Sequence, residues 1–119
     1  MCGITGITST NLAKDELLER INVMTNQLQH RGPDALNTFV QDGVALGHTR
    51  LSIIDLTDTG SQPMTDSSNQ VTVVLNGEIY NYKVLKEELL YSGLSFQGTS
   101  DTEVLLQAYM CWGLKGLKR

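Results

Sequence analysis

Apolar residues along this chain recur with two periods. Between Asp15 and Leu28 they fall at Leu17, Leu18, Ile21, Met24 and Leu28, the three-and-four spacing of an amphipathic helix that buries one face. The tract His30, Arg31, Gly32, Pro33 and Asp34 ends that helix in a turn, because glycine suits a helix C-terminus and the residue before proline is pushed out of the α region. Gly3 to Ile7 reads as a short strand broken by glycines. Asn37 to Gln41 and Val44 to Arg50 are strand-like and are separated by Asp42-Gly43, a dipeptide suited to the positive φ angles of a tight hairpin. From Asp55 to Gln70 the residues are polar and aperiodic, which predicts a long loop. Val71 to Leu75 is a β-branched run expected to be a buried strand, closed by the turn dipeptide Asn76-Gly77.

A second helix is predicted from Tyr82 to Tyr91 with Val84, Leu85 and Leu89 inward, ended by Ser92-Gly93. Leu94 to Gln97 could form a short strand. Ser100 and Glu103 have the spacing of a capping box and open a last helix, whose inward pattern is Val104, Leu105, Ala108, Tyr109 and Trp112. Cys111 lies within that pattern and is expected as a small buried hydrophobe. The order of elements, with several strands adjacent in sequence, predicts α+β layers rather than a doubly wound parallel sheet. No glycine-rich phosphate loop is present: Gly3 with Gly6 and Gly43 with Gly47 lack its spacing and context.

Composition narrows the class. The chain has 119 residues, 40% of them hydrophobic and 18% charged, which fits one globular domain over residues 1–119 and excludes long disorder and coiled coil. Nine basic against thirteen acidic residues give a net charge of −4, and no basic stripe is available to neutralise phosphates, so nucleic acid is not an expected partner. The longest apolar run, residues 71–75, is far shorter than the roughly 20 residues of a membrane span. The N-terminal MCGITGIT has no positive residue and no long apolar centre, so no secretory signal is read and a cytoplasmic location is expected. Two cysteines, one near each end, do not make a disulfide framework. Cys2, His30, His48 and Cys111 lack the gaps of metal ligands, so no metal site is expected and the histidines are read as structural.

Cys2 stands apart, because a thiol beside a glycine at a chain end would be an oxidation liability if idle. If Met1 is removed, the α-amino group of Cys2 can take the thiol proton, so nucleophile and base become one residue. The α-amino group is displaced if Met1 is retained, and that form is expected to be inactive. Acyl transfer also needs donors for a developing oxyanion, and Asn76-Gly77 offers a side-chain amide and an unobstructed N–H. Arg50 at a strand end could clamp a substrate carboxylate, and Asp101 at a helix start could face an ammonium. Singly, each of these residues also fits an ordinary turn, ion pair or cap.

Together the ordered segments MCGITG, HRGPD, GHTRLSIID, QPM, LNGEIYNY and SDTEVLL resemble the glutaminase domain of class II glutamine amidotransferases, most closely that of glutamine-hydrolysing asparagine synthetases. The resemblance runs from Cys2 to about Trp112. It implies an N-terminal nucleophile hydrolase fold, a four-layer αββα sandwich of two antiparallel sheets between helices. By position, Cys2 corresponds to the nucleophile that forms a γ-glutamyl thioester with L-glutamine and releases ammonia. Asn76 and Gly77 correspond to the oxyanion hole, Arg50 to the α-carboxylate site and Asp101 with Glu78 to the α-amino site. Leu51, Ser52, Ile53 and Ile54 correspond to the adjacent pocket wall. Arg31 and Asp34 read either as an ion pair within their turn or, by resemblance, as support for the site wall.

Domains of this family are longer than this chain, and in asparagine synthetases an ATP-dependent synthetase domain follows. The chain is therefore expected to be the N-terminal part of such a domain, its sandwich incomplete and its ammonia-accepting partner elsewhere. No pyrophosphate-binding Ser-Gly-Gly-x-Asp segment occurs, so no cofactor is expected in this chain, and ATP and Mg belong to the absent domain. Missing strands would leave sheet edges open to self-association, for which a homodimer is one form. Two other readings share these residues: a non-catalytic binding module, and a class II amidotransferase that feeds a different acceptor.

Overall fold

The computed structural model describes residues 1–53 and 55–119. Its elements are strand β1 (Gly3–Thr8), helix α1 (Lys14–Gln27), strands β2 (Ala35–Gln41) and β3 (Val44–Arg50), the short strands β4 (Met64–Thr65) and β5 (Thr72–Val73), and helices α2 (Tyr82–Tyr91) and α3 (Asp101–Trp112). Single 3-10 segments occupy Asp58–Gly60 and Gly113–Lys118. The mixture of antiparallel sheets and helices is the predicted α+β class. The chain forms two compact units, one of residues 1–52, 61–63 and 74–77, the other of residues 53–60, 64–73 and 78–119.

In the first unit, β3 is the central strand of an antiparallel sheet with order β1-β3-β2. Gly3 pairs with Thr49 and Thr8 with Val44, while Ala35 pairs with Arg50 and Gln41 with Val44. The predicted hairpin forms as its dipeptide demands: Asp42 and Gly43 both have positive φ, 49° and 78°. α1 packs on one sheet face through Leu17, Ile21 and Ala45, with Ile7, Leu12 and Val40 around them. Burial of a side chain such as Leu17 or Ile21 is worth about 1.5–3 kcal/mol. The inward stripe of α1 is Leu17, Ile21 and Thr25. Leu18 and Met24, expected inside, are exposed, because Thr25 takes the last inward position by bonding the Ile21 carbonyl (2.6 Å) and the Thr5 hydroxyl (3.1 Å).

The second unit packs α2 on α3 through Leu85, Leu89, Val104 and Ala108. Val84, expected inward, is 58% exposed, since Leu85 and Leu89 already fill the contact row. Cys111 is exposed, which corrects the expectation of a core thiol: it lies in the last turn of α3, where Tyr109 and Met110 are exposed with it, beyond the buried Val104 and Ala108. The long polar stretch is more structured than its composition suggests, because Met64–Thr65 pairs with Thr72–Val73 as a small antiparallel hairpin. The run Val71 to Leu75 contributes only Thr72 and Val73 to that hairpin, and they are half-buried. Leu94 to Gln97 forms no strand. Among the described residues no helix is long and apolar enough to cross a membrane.

Asp66 organises the small hairpin. Its carboxylate accepts the N–H groups of Ser68 (2.8 Å), Gln70 (2.8 Å) and Val71 (2.6 Å) and the Ser68 hydroxyl. The Ser68 hydroxyl foremost, then the backbone N–H groups, lower its pKa from 3.8 to about 2. A depressed folded-state pKa stabilises the loop wherever the carboxylate is ionised, and that contribution disappears as pH falls from 3.8 toward about 2. Amide exchange at Gln70 and Val71 is therefore expected to accelerate across that acid window, and Asp66→Asn should make it fast at neutral pH and nearly flat below. An unchanged acid profile in the variant would show that other groups control the loop.

Candidate active site

Cys2 immediately precedes β1, and the pairing of Gly3 with Thr49 sets it beside the end of β3. The Leu51 N–H donates to Cys2 Sγ (3.4 Å), and the thiol faces the Leu51 carbonyl oxygen at 3.7 Å. A sulfur that accepts a backbone N–H is held in a fixed direction. The backbone of Cys2 is fixed as well: Arg31 Nε donates to its carbonyl oxygen at 3.1 Å. Cys2 is half-buried and Met1 is 77% exposed.

The turn after α1 locks onto β3. Pro33 bridges Arg50, the Asp34 N–H donates to the Arg50 carbonyl (3.0 Å), and the Asp34 carboxylate accepts the Ser52 N–H (2.8 Å). Arg31 and Asp34 thus reach out of their turn to Cys2 and Ser52, which favours support of the site over an internal ion pair. Neither contact is visible in the local sequence, because the partners lie 29 and 18 residues away. Arg50 is buried at the end of β3, Leu51 and Ser52 are half-buried, and Ile53 is exposed. Ile54 lies outside the described residues.

Asn76 and Gly77 also belong to the first unit and are exposed. The residue before them is anchored: the buried Gln62 side chain accepts the Leu75 N–H at 2.5 Å. Only the segment QPM hinted at this residue. His48, fully buried on β3, has no well-formed hydrogen bond at either ring nitrogen among the described residues. Burial lowers its pKa, the Leu75 backbone opposes the shift and the Arg50 charge adds to it, so the imidazole is neutral at pH 7. His30 is exposed, its Nδ1–H donating to the Gln27 carbonyl (3.0 Å). Among the described residues no three His, Cys, Asp or Glu side chains are grouped to hold a metal ion.

Glu78 and Asp101 lie in the second unit. Asp101 is buried as the first residue of α3, and its Oδ2 accepts the Ile79 N–H at 3.0 Å, so the residue after Glu78 is tied to it. Ser100 caps α3 as predicted, its Oγ accepting the Glu103 N–H at 3.2 Å. The Glu103 side chain does not close the box. It accepts instead from Gln97 N–H (2.7 Å) and Gly98 N–H (2.8 Å).

The first unit thus holds the Cys2 thiol on the Leu51 N–H, and the second holds the buried Asp101 carboxylate at the start of α3. A family model described as a glutamine amidotransferase domain matches residues 1–119. Asparagine synthetase [glutamine-hydrolyzing] 3 of Bacillus subtilis is 40% identical over 114 residues, covering 94% of this chain and 18% of that protein. Putative asparagine synthetase [glutamine-hydrolyzing] 2 of Methanocaldococcus jannaschii is 36% identical, covering 99% of this chain and 25% of that protein. Amidase chry2 of Gibberella zeae is 35% identical, covering 96% of this chain and 18% of that protein. The chain thus spans a quarter or less of the length of these relatives.

Proposed function

The chain belongs to the glutamine amidotransferase domain family, and from that premise we propose that it hydrolyses L-glutamine to glutamate and ammonia through a γ-glutamyl thioester on Cys2. In this reading the domain is an N-terminal nucleophile hydrolase in the cytoplasm, and this chain is the N-terminal part of its αββα sandwich. Once Met1 is removed, the Cys2 amine takes the thiol proton and the sulfur attacks the carboxamide carbon. Asn76 Nδ2–H and the Gly77 N–H stabilise the oxyanion, the C–N bond breaks, and the amine returns the proton to the leaving ammonia. Water then attacks the thioester, releasing glutamate and the free thiol.

Arg50 holds the substrate α-carboxylate, Asp101 with Glu78 holds the α-ammonium, and Leu51, Ser52, Ile53 and Ile54 wall the pocket. The ammonia goes to a synthetase domain that makes asparagine, where ATP and Mg are used. The observation that carries this reading is the Cys2 thiol seated on the Leu51 N–H, with Arg31 fixing its carbonyl. A second reading changes only the acceptor, and the similarity to a protein named an amidase favours keeping it. Both readings share one test. Glutamine turnover stopped in acid should leave a γ-glutamyl group on the Cys2 peptide by mass spectrometry, in step with ammonia release; hydrolysis with no such adduct at any time would remove the thioester mechanism.

A further inference from the structure

Three consecutive backbone N–H groups ahead of α3 point at two buried carboxylates. Glu103 takes those of Gln97 and Gly98 at 2.7 and 2.8 Å, and Asp55 Oδ2 takes that of Thr99 at 3.0 Å. Both acids are among the most buried polar residues of the chain, at 7% and 5% exposed. Asp55 is itself fixed, because its carboxylate accepts the Thr57 hydroxyl (2.6 Å) and N–H (2.9 Å) and the Thr59 hydroxyl (2.9 Å). Lys86 Nζ donates to the Gly98 carbonyl at 2.8 Å from the other side. Gly98 is packed so closely that an added Cβ would lie 2.5 Å from Thr59 Oγ1 and 2.7 Å from Asp55 Oδ2. A loop held this way has no freedom left for the residue it delivers, and two residues beyond Thr99 it delivers Asp101.

From this clamp we infer that Asp55 and Glu103 are positioning residues that fix the Gln97–Thr99 loop and thereby aim Asp101 at the substrate ammonium. The inference rests on the proposed glutaminase reading for what Asp101 binds. Its geometry explains why α3 opens with acids that do more than cap. Bonds from hydroxyl and N–H donors keep Asp55 ionised, the Thr57 hydroxyl foremost and the Thr99 N–H next. Charges at Asp55, Glu103 and Asp101 then gather in one unit, which raises the local preference for a cation.

Glu103→Gln and Asp55→Asn keep size and remove the charge, placing an amide donor where N–H groups point. In the natural full-length polypeptide, either variant is expected to raise the KM for glutamine about tenfold, the loss of a charge-assisted bond, with kcat within about twofold. Inhibition by glutaramate, which keeps the carboxamide and carboxylate and lacks the amine, should not change. Amide exchange at Gln97, Gly98 and Thr99 should accelerate in the variants while Leu89 and Val104 stay protected. Unchanged exchange at residues 97–99, or equal weakening of glutamine and glutaramate, overturns the inference and leaves the glutaminase reading intact. A wild-type protein that releases no ammonia from glutamine removes that reading and this inference with it. If Glu103→Gln does not fold, Asp55→Asn carries the same comparison.

Discussion

Cys2→Ala is expected to lower ammonia release from glutamine by about 10³-fold or more while leaving glutamine binding nearly unchanged, because the substitution removes the bond-forming atom and none of the substrate clamps. The fold should tolerate it. Cys2 is half-buried and precedes the first paired residue, so the ladder from Gly3 to Thr8 survives. Calorimetric titration with glutamine and a coupled ammonia assay on the same preparation separate the two effects. Cys111→Ser is the matched control, since that thiol is exposed on α3 and should leave the rate unaltered. Retention of Met1 should silence the protein in the same way by displacing the amine from the thiol. A Cys2→Ala variant that still releases ammonia at the wild-type rate would assign the nucleophile elsewhere.

The second large effect is structural. Gly32→Ala would place a Cβ 2.5 Å from both the carbonyl carbon and oxygen of Thr49 and 2.6 Å from the carbonyl carbon of Arg50. These are backbone atoms of the central strand, and neither can withdraw without tearing the sheet. The turn must move instead, carrying Arg31 off the Cys2 carbonyl and Asp34 off the Ser52 N–H. A loss of about 3 kcal/mol is expected, which lowers Tm by roughly 10 °C or more in a domain of this size. Gly6→Ala is the control, because its Cβ would meet only ordinary contacts at 3.6 and 3.7 Å. Equal melting temperatures for the two variants would mean that the turn is not wedged on β3.

Much of this was legible in the chain because local chemistry dictated it. The bounds of α1 and α2, the Asp42-Gly43 hairpin and the Ser100 cap all follow from periodicity or from one residue's preferred geometry. The failures share a cause, which is competition from partners distant in sequence or in space. Apolar Leu18 and Val84 fit a helical stripe but lose to neighbours that already fill the contact row. Leu94 to Gln97 has strand-like residues, yet the Gln97 N–H a ladder would need is taken by Glu103. Glu103 has the spacing of half a capping box, yet its carboxylate is spent six residues upstream. For the site, residue types pointed to Cys2, Arg50 and Asp101, but nothing in the spacing revealed that Arg31, Asp34 and Gln62 hold the neighbouring backbone.

The pairing of β1 with β3 has a consequence for biosynthesis. Gly3 pairs with Thr49, so β1 waits for β3 to be made before its ladder can close. At about 5–20 residues per second the delay is a few seconds. During that interval β1 is unpaired, and the Cys2 thiol that will later rest on the Leu51 N–H has no such shelter. Slower translation through β2 and β3 would lengthen the exposure of that thiol to oxidants.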